Sequence, residues 1–547
     1  MSERAPTYET IGALPRRAAE SFGDAEALVF GDQRWSFAEF ERDVERAATG
    51  LVAIGVRPGD KVALWLMNRP EWLHVYYGAA RIGALSVPLN TRFRERDVEF
   101  VVKHSNATTL IQNDVSGPID FLDMTLSLMP DLGDRAPGHP STDEFSDLKR
   151  VVTIGAERRP GALWWPDCIA SGDEAPTPDT ETVSVDPEEP IMILYTSGTT
   201  GFPKGVQHSH RPLRAIADRA ERLEITPEDA FLCNLPLFHL YGLSEMGIMF
   251  LLTGSKLVLT EAFDPDEGVQ LIEREHITMV HGFDVHYAGL MEARERLGAD
   301  VSSLRVGSIP AGMESTLPTV RRVIDDFCPV VSAYGLTEGW ACGAIGFLDG
   351  TAEQRCETSG YPMPGYEFAI VDGESGQPVP NGEPGEILLR GYLVMQGYYK
   401  EPGLTAEAVD ADGWLHTGDM GIMRDDGYLR FLGRYKDMLK VGGENVSPME
   451  VEGFLLEAQP LELVAIVGCP DEHLDEVPVA FVVPASDCTS SHEELEREIV
   501  AACRGKIASF KIPQRTFVLD EMPMTASGKI QKHKLRDLAK QMLQSDT

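Results

Sequence analysis

Short apolar runs alternate with helical segments along most of this 547-residue chain. Parallel sheets with helices on both faces have this alternation, and their ligands bind beyond the carboxyl ends of the strands. We therefore predict an α/β fold with two doubly wound sheets. The site is expected among the residues that follow those strands. The predicted strands of the two series lie at 26–30, 61–66 and 85–90, and at 230–238, 255–260, 278–283, 304–309 and 330–335.

A loop rich in hydroxyls and glycines follows the buried-strand pattern of residues 191–194. It reads YTSGTTGFPKG over 195–205 and ends near Lys204. Glycines allow successive backbone N–H groups to face one point, hydroxyls add donors, and the lysine adds positive charge. This combination suits a polyphosphate, although a short Gly-rich loop can also be an ordinary turn. No Gly-Lys-Ser/Thr closes the loop, so it is not a Walker A loop.

The pattern changes in the last third of the chain. Short strands between Gly, Pro and Asp turns over about 350–434 predict a small antiparallel β subdomain. Residues 435–547 mix helices and strands and are predicted to form a smaller α+β lid domain. Ser447 with Glu450, and Ser491 with Glu494, have the spacing of capping boxes. The predicted domains are therefore 1–434 and 435–547.

The composition restricts the partners. The net charge is −37, with 86 acidic and 49 basic side chains, which disfavours nucleic acid and anionic membranes. The eight cysteines include no CxxC pair, and free thiols are expected. The sequence shows neither an apolar leader nor a long apolar run. We predict a cytoplasmic protein without a membrane span.

Six stretches together resemble the adenylate-forming (AMP-binding) superfamily, and in particular its acyl-CoA synthetases of the fatty-acid or medium-chain type. The first is the hydroxyl- and glycine-rich loop at 195–205, which we call the phosphate loop. The others are PLFHLYG (236–242), AYGLTE (333–338), WLHTGD (414–419), GRYKDMLKVGGENVSPMEVE (433–452) and TASGKI (525–530). Together they extend over nearly the whole chain, and the joint match is far more specific than any single stretch.

The resemblance implies how ATP is held. Asp419 would accept hydrogen bonds from the ribose hydroxyls, and Arg434 would donate its guanidinium fork to ribose or phosphate. Tyr334 would offer its ring face to adenine, and Glu338 would be an oxygen ligand for the Mg²⁺ of MgATP. Each residue also has an ordinary explanation, such as a turn aspartate, a surface ion pair, a core aromatic or a solvated glutamate. The predicted ATP site comprises Thr196, Ser197, Gly198, Thr199, Thr200, Gly201, Lys204, Tyr334, Gly335, Thr337, Asp419, Arg434 and Lys529.

The resemblance also implies the catalytic and acyl-binding residues. Lys529 would bridge the substrate carboxylate and the α-phosphate as a mobile point charge. His239 would lie at the acyl site, although a lone histidine after a strand is more often a core residue. The predicted catalytic residues are Lys529, His239, Thr196 and Glu338, and the predicted acyl pocket is lined by His239, Phe283, Ile309 and Trp340.

Coenzyme A and domain motion are assigned to the C-terminal part. Lys436 matches the family's hinge position, and a glycine pair nearby fits close backbone approach to the pantetheine arm. The predicted coenzyme A contacts are Lys440, Gly442, Gly443 and Glu444. The basic run after Lys529 is explained by a solvated helix face or by contact with coenzyme A phosphates.

One departure from the family pattern affects the substrate prediction. Many relatives have a glycine pair where this chain has Ile309 and Pro310. Side chains at this position, with Trp340 nearby, would narrow the acyl pocket. We therefore expect short- to medium-chain acids.

The resemblance implies an ATP-dependent acyl-CoA synthetase that uses ATP, Mg²⁺ and coenzyme A. A carboxylate would attack the α-phosphate to give acyl-AMP and pyrophosphate, and coenzyme A would then take the acyl group. Three alternatives stay open: an adenylation enzyme loading a carrier protein, a luciferase-like oxygenase and a non-catalytic nucleotide-binding protein. The expected partners are small molecules, without nucleic acid, and a homodimer stays open.

Overall fold

The computed structural model describes most of the chain and contains two large sheets. It covers residues 10–134, 136–140, 143–174, 185–196, 203–313, 316–373, 375–441, 444–471, 474–486, 488–504, 506–524 and 530–545. The first sheet has nine strands, of which the central six are parallel. In spatial order they are Tyr361–Pro362, Ala341–Ile345, Val330–Leu336, Val306–Pro310, Met279–His281, Ala230–Cys233, Lys256–Leu259, Glu26–Phe30 and Gln33–Ser36.

The second large sheet has eight strands and contains the strands that flank the phosphate loop. Six of its strands are parallel, and two antiparallel strands extend one edge. In spatial order they are Gly397–Tyr398, Lys204–His208, Met192–Thr196, Leu85–Pro88, Lys61–Trp65, Thr109–Asn113, Arg150–Ile154 and Leu163–Trp164.

Smaller sheets follow later in the chain. A four-stranded antiparallel sheet contains Tyr366–Val371, Gly385–Gly391, Leu415–Met423 and Leu429–Arg434. A five-stranded sheet contains Glu444–Val446, Leu439–Val441, Asp475–Pro484, Leu461–Asp471 and Arg515–Val518. A short hairpin pairs Val115–Ser116 with Ile119–Asp120.

Helices connect and cover the strands. The α-helices are Leu14–Phe22, Phe37–Ala53, Pro70–Arg81, Glu95–Ser105, Phe121–Leu128, Trp165–Glu174, Leu213–Arg222, Leu240–Gly242, Met249–Thr253, Pro265–Glu275, Asp284–Leu297, Leu317–Asp326, Ala352–Cys356, Pro402–Ala408, Pro448–Ala458, His492–Cys503 and Lys532–Ser545. The segment Leu243–Ile248 is a π-helix. Short 3₁₀ turns occupy Ile11–Ala13, Asp143–Phe145, Thr337–Gly339, Tyr435–Asp437 and Ser509–Lys511.

The hydrophobic core is divided by the sheets. The largest cluster contains residues from both large sheets, such as Leu64 and Met279, so it lies between them. Two further clusters cover the outer faces of these sheets. The two clusters around the five-stranded sheet contain only residues from Leu439 onward. The C-terminal part therefore has hydrophobic cores of its own, and the boundary at 434/435 stays a prediction.

The α/β prediction is confirmed, while strand ends and one helix cap differ. The predicted strand 230–238 ends at Cys233. The Ser491 capping box forms as predicted. The predicted capping box at Ser447 is wrong, because the Ser447 hydroxyl accepts no hydrogen bond from its own helix and instead donates to the Leu432 carbonyl at 3.1 Å. In the part of the chain that the structure describes, no helix combines the length and apolarity needed to cross a bilayer.

Candidate active site

A buried carboxylate lies where the nine-stranded sheet meets the four-stranded sheet. The Asp419 side chain is 3% exposed, and its Oδ1 lies 2.7 Å from Nε of Arg434. The two residues are direct partners in the hairpin formed by Leu415–Met423 and Leu429–Arg434. The Tyr334 hydroxyl, from the nine-stranded sheet, donates to Oδ2 at 2.7 Å. An ion pair with Arg434 and a hydrogen bond from Tyr334, which lie in different sheets, therefore hold the Asp419 carboxylate in one orientation.

The surroundings of Tyr334 explain this orientation. Its ring packs near Phe368 and Phe431, with centroids 6.2 and 5.9 Å away. Burial, with a smaller contribution from the Asp419 charge, raises the pKa of Tyr334 well above its usual value. The phenol therefore stays protonated and remains a donor. Its most direct role in this structure is to fix Asp419.

A second carboxylate follows the strand that carries Tyr334. Glu338 lies in the turn Thr337–Gly339 and accepts a hydrogen bond from the Tyr398 hydroxyl at 3.0 Å. The Lys204 ammonium lies 4.9 Å from the centre of the Tyr398 ring, close enough for a cation–π contact. Tyr398 therefore links the predicted metal ligand to the predicted phosphate-binding lysine. The sequence does not predict this link, because no local pattern connects position 398 with 204 or 338.

The phosphate loop is anchored at both ends. Thr196 and Lys204 are direct partners in adjacent antiparallel strands, so the loop leaves and re-enters the sheet at one place. The predicted residues Ser197, Gly198, Thr199, Thr200 and Gly201 lie outside the described residues.

The turn that carries Glu338 is held by a hydrogen bond from His208 to its backbone. His208 Nε2 lies 2.6 Å from the Thr337 carbonyl oxygen, so that nitrogen carries the proton and donates. Burial lowers the pKa of His208 to about 4, which keeps the imidazole neutral. Trp340 packs against it edge-on at 5.0 Å and is fully buried. Trp340 and Ala341 have φ of 54° and 59°, a left-handed conformation that stores strain beside the Glu338 turn.

Trp340 is held by a buried polar group on the π-helix. Its Nε1 donates to Ser244 Oγ at 3.1 Å, and Arg219 donates to the same oxygen at 2.8 Å. Arg219 also pairs with Glu245 at 2.8 Å, and both side chains are buried. π-Helical turns occur frequently at functional sites. Through Ser244, this one holds Trp340, the residue that directly follows the Glu338 turn.

The residues predicted for the acyl pocket occupy different places. His239 is exposed at the start of Leu240–Gly242. Phe283 is 38% exposed and packs edge-on against Tyr241, with ring centres 5.6 Å apart. Ile309 is fully buried on the other face of its sheet, in the cluster that contains Val320.

The placement of Ile309 corrects one prediction. Its neighbour Ser308 bonds to Tyr241, on the face that carries Phe283. Because successive side chains of a strand point to opposite faces, Ile309 points away from that face. It therefore does not narrow an acyl pocket there, and the chain-length argument from Ile309 fails.

The remaining predicted residues belong to the C-terminal part. For Lys436, Lys440 and Glu444 only the backbone is described, and Val441 pairs with Glu444 in a tight hairpin. The intervening Gly442 and Gly443 lie outside the described residues, as does Lys529. Their roles stay predictions.

The site fits Mg²⁺ held mainly by substrate. Among the described residues there is no group of three or more His, Cys, Asp or Glu side chains that could form a metal cage. Mg²⁺ is commonly bound by one or two carboxylates, substrate phosphates and water. Glu338, which is joined to Lys204 through Tyr398, would supply one such carboxylate.

Comparison with known proteins identifies the family. Residues 15–399 match the profile of the AMP-binding enzyme family, and residues 450–529 match the AMP-binding enzyme C-terminal domain. The chain is 35% identical to the putative acyl-CoA synthetase YngI of Bacillus subtilis, with 97% of each chain covered. It is 31% identical to the human mitochondrial medium-chain acyl-CoA ligase ACSF2, with 97% of this chain and 87% of that protein covered.

Solved structures show the same architecture. The ATP-bound MatB of Rhodopseudomonas palustris has a TM-score of 0.83 and 25% identity, covering 98% of this chain and 100% of that one. The anthranilate CoA ligase AuaEII, in complex with anthranoyl-AMP, has a TM-score of 0.84 and 26% identity, covering 98% and 99%. The chain belongs to the AMP-binding enzyme family. Within it, the chain is an AMP-forming carboxylate–CoA ligase of the acyl-CoA synthetase group, and ATP, Mg²⁺ and coenzyme A are the family's co-substrates and ion.

Proposed function

We propose that this enzyme activates a short- to medium-chain carboxylic acid as acyl-AMP and transfers the acyl group to coenzyme A. The observation that carries the proposal is the meeting of Asp419, Glu338 and Lys204 where three sheets join. Tyr334, in the nine-stranded sheet, bonds to Asp419 in the four-stranded sheet. Tyr398, in the edge strand of the eight-stranded sheet, bonds to Glu338, which follows the strand of Tyr334. One nucleotide can then contact all three charged groups.

The chain's own residues position charge in the first step. Asp419 accepts hydrogen bonds from the ribose, while Lys204 and the phosphate loop neutralise the phosphates. A carboxylate oxygen forms a bond to the α-phosphorus, and the bond from that phosphorus to pyrophosphate breaks. Lys529 offsets the repulsion between the two anions. Catalysis rests on orientation and electrostatic stabilisation.

In the second step, the thiolate sulfur of coenzyme A bonds to the acyl carbon. The carbon–oxygen bond to AMP breaks, and AMP leaves with that oxygen. We propose that the C-terminal domain rotates about Lys436 between the steps, bringing first Lys529 and then Gly442 and Gly443 to the site. The half-reactions test this: Lys529→Ala should slow adenylation about 10²–10³-fold and spare thioester formation. Equal losses in both steps would contradict the rotation.

The chain-length preference is supported by two observations. The fully buried Trp340 fills the space behind the Glu338 turn, and the mammalian relatives are named medium-chain acyl-CoA ligases. One methylene changes discrimination in an apolar pocket by about 1–3 kcal/mol. We expect a higher kcat/KM for hexanoate than for palmitate, and the reverse order would contradict the proposal.

The alternatives predict different products. Coenzyme A should accelerate pyrophosphate release and yield AMP with a thioester. With an enzyme that loads a carrier protein, coenzyme A would not accelerate pyrophosphate release. A luciferase-like oxygenase would consume oxygen and emit light. A binding protein would release no pyrophosphate with any acid. Assays of these products over a panel of acids distinguish the four functions.

We also propose a cytoplasmic location. All eight cysteines are unpaired, as expected in a reducing compartment. Fractionation of cells that express the tagged protein tests this, and recovery from an exported or membrane fraction would contradict it. The proposed partners are the acid, ATP and coenzyme A, without nucleic acid, and size-exclusion chromatography with light scattering decides whether the enzyme is a homodimer.

A further inference from the structure

Three polar side chains form a buried relay at the carboxyl ends of two neighbouring strands. Ser308 Oγ lies 2.6 Å from His281 Nδ1 and 2.7 Å from the Tyr241 hydroxyl. The Tyr241 hydroxyl also lies 3.0 Å from the Ser308 carbonyl oxygen. His281 and Ser308 are direct partners in the parallel sheet. The predicted active-site residues do not include this relay.

The relay lies next to the surface and close to the nucleotide residues. Tyr241 is partly exposed, and the exposed ring of Phe283 packs against it. The strand of Ser308 pairs with the strand of Tyr334, with Ser308 opposite Val331. At the usual rise per residue, Tyr334 lies roughly 10 Å further along that strand. That distance is comparable with the length of an eight-carbon acid.

The relay has, at its buried end, a polar atom without a hydrogen-bond partner in the described part of the chain. His281 is 1% exposed, and its Nε2 has no hydrogen-bond partner among the described residues. Burial lowers the pKa of His281 to about 4, so the ring is neutral at physiological pH. A buried polar atom without a partner is costly, and a ligand atom that bonds to it recovers that cost.

The protons of the relay can be arranged in two ways. Tyr241 donates to Ser308 Oγ in the first arrangement and to the Ser308 carbonyl in the second. If the Ser308 hydroxyl donates to His281 Nδ1, then Nε2 carries a proton and is a donor. If His281 Nδ1 donates to Ser308, whose hydroxyl then donates to Tyr241, Nε2 is an acceptor. The relay can therefore serve a carbonyl oxygen or a hydroxyl, and its neutrality disfavours a charged group.

We propose that the acid substrate carries an uncharged oxygen, as a ketone or a hydroxyl, on the part of its chain remote from the carboxylate, and that His281 Nε2, set by Ser308 and Tyr241, bonds to it. The inference rests on the proposed acyl-CoA synthetase activity and makes its substrate class more specific. A plain fatty acid would leave Nε2 buried without a partner. A site that bonds to a substrate oxygen discriminates strongly against the analogue without it.

The test compares octanoate with two series of derivatives, in which a ketone is moved one carbon at a time from carbon 5 to carbon 7 and a hydroxyl from carbon 5 to carbon 8. AMP formation with coenzyme A gives kcat/KM for each acid. For at least one derivative, kcat/KM should exceed that for octanoate by about ten- to a hundredfold. If no derivative exceeds octanoate, the inference is overturned and the synthetase activity still stands. If no acid yields AMP, the proposed function fails and the inference fails with it.

Variants assign the preference to the relay. His281→Leu and Ser308→Ala should each bring the ratio of derivative to octanoate close to one. Tyr287→Phe is the matched control, because the Tyr287 hydroxyl donates to the backbone carbonyls of Val280, at 2.7 Å, and Ser308, at 3.2 Å, and bonds to none of the three relay side chains. Its ratio should remain that of the wild type. An unchanged ratio in both relay variants would overturn the assignment, and if neither variant folds, the wild-type scan decides alone.

Discussion

At the scale of single residues, Asp419 is the most specific prediction. Its carboxylate is buried between Tyr334 and Arg434, and Asn keeps the shape but loses the charge and one acceptor. Hydrogen bonds to charged groups contribute roughly 1.5–3 kcal/mol, so Asp419→Asn should weaken ATP binding about tenfold or more. Isothermal titration with ATP measures this.

A control for Asp419 lies in the same hairpin. Asp426 is in the turn of that hairpin and pairs with Arg424 at 3.2 Å, away from Tyr334. Asp426→Asn should bind ATP as the wild type does. Unchanged ATP affinity in a folded Asp419→Asn protein would remove Asp419 from the nucleotide site.

Tyr398 permits a test of the metal ligand. Tyr398→Phe keeps the ring beside Lys204 and removes the hydroxyl that holds Glu338. Loss of a partner that orients a metal ligand typically weakens metal binding about tenfold or more. The Mg²⁺ concentration for half-maximal AMP formation should therefore rise by about that factor, and an unchanged requirement would argue against Glu338 as a ligand.

The neighbouring tyrosine is the matched control. The Tyr399 hydroxyl donates to Asn106 at 3.1 Å, not to Glu338. Tyr399→Phe should leave the Mg²⁺ requirement unchanged, which separates the loss of a particular hydrogen bond from a general effect of losing a tyrosine hydroxyl.

How far single residues can be predicted from the sequence depends on how local their signal is. Asp419 and Glu338 stand in short recognisable stretches, and the structure places each beside a tyrosine that touches it. The pairing of Tyr398 with Glu338 spans 60 residues, and that of Ser308 with His281 spans 27. No periodicity links such positions, so only the assembled sheets show these contacts.

At the scale of elements, the hairpin that carries the Glu338 turn depends on a glycine. A Cβ on Gly335 would lie 1.4 Å from the Ala341 carbonyl oxygen, and the strand register shifts at the same place. Gly335→Ala must therefore move the hairpin. We expect a loss of about 1–3 kcal/mol in stability and at least tenfold weaker ATP binding. Thermal unfolding and ATP titration measure both effects.

Gly403 is the corresponding control. It lies in the helix Pro402–Ala408, and a Cβ there would have no neighbour within 4 Å. Gly403→Ala should leave ATP affinity unchanged and stability the same or slightly higher, since alanine favours the helix. Wild-type ATP affinity in Gly335→Ala would contradict the close packing of this hairpin.

Element types are predicted well from the sequence, while orientations are not. Alternating apolar runs predicted the strands of both large sheets, because buried parallel strands are apolar on both faces. When both faces of a strand are apolar, the sequence does not show which face a given side chain is on. The prediction that Ile309 narrows the acyl pocket was wrong for this reason. Ser447 has the capping-box spacing, yet its hydroxyl is turned toward the Leu432 carbonyl, to which it donates, and it accepts no hydrogen bond from its helix.

At the scale of the whole molecule, buried histidines should make stability depend on pH. Burial lowers the pKa of His208, His210, His281 and His286 to about 4. In the unfolded chain these histidines have their ordinary pKa of about 6.5. Between about pH 4 and pH 6.5 the unfolded chain therefore holds more protons than the folded protein. Stability is therefore complete above about pH 6.5 and falls as the pH drops toward 4.

Thermal unfolding at pH 7 and pH 5 tests this dependence. The midpoint should be lower at pH 5, and the drop should be smaller in His208→Asn, since each pKa unit corresponds to about 1.4 kcal/mol. A midpoint that rises on acidification, or a drop of the same size in the variant, would contradict the assignment to His208.

The central claim is that a carboxylate attacks the α-phosphorus of an ATP molecule held by Asp419, Lys204 and Glu338. The most direct measurement follows the oxygen atoms of octanoate labelled with ¹⁸O in its carboxylate, in a reaction with ATP, Mg²⁺ and coenzyme A. Mass spectrometry of the products should find one ¹⁸O in AMP and the other in the thioester. Unlabelled AMP, or ADP with labelled inorganic phosphate, would contradict attack at the α-phosphorus.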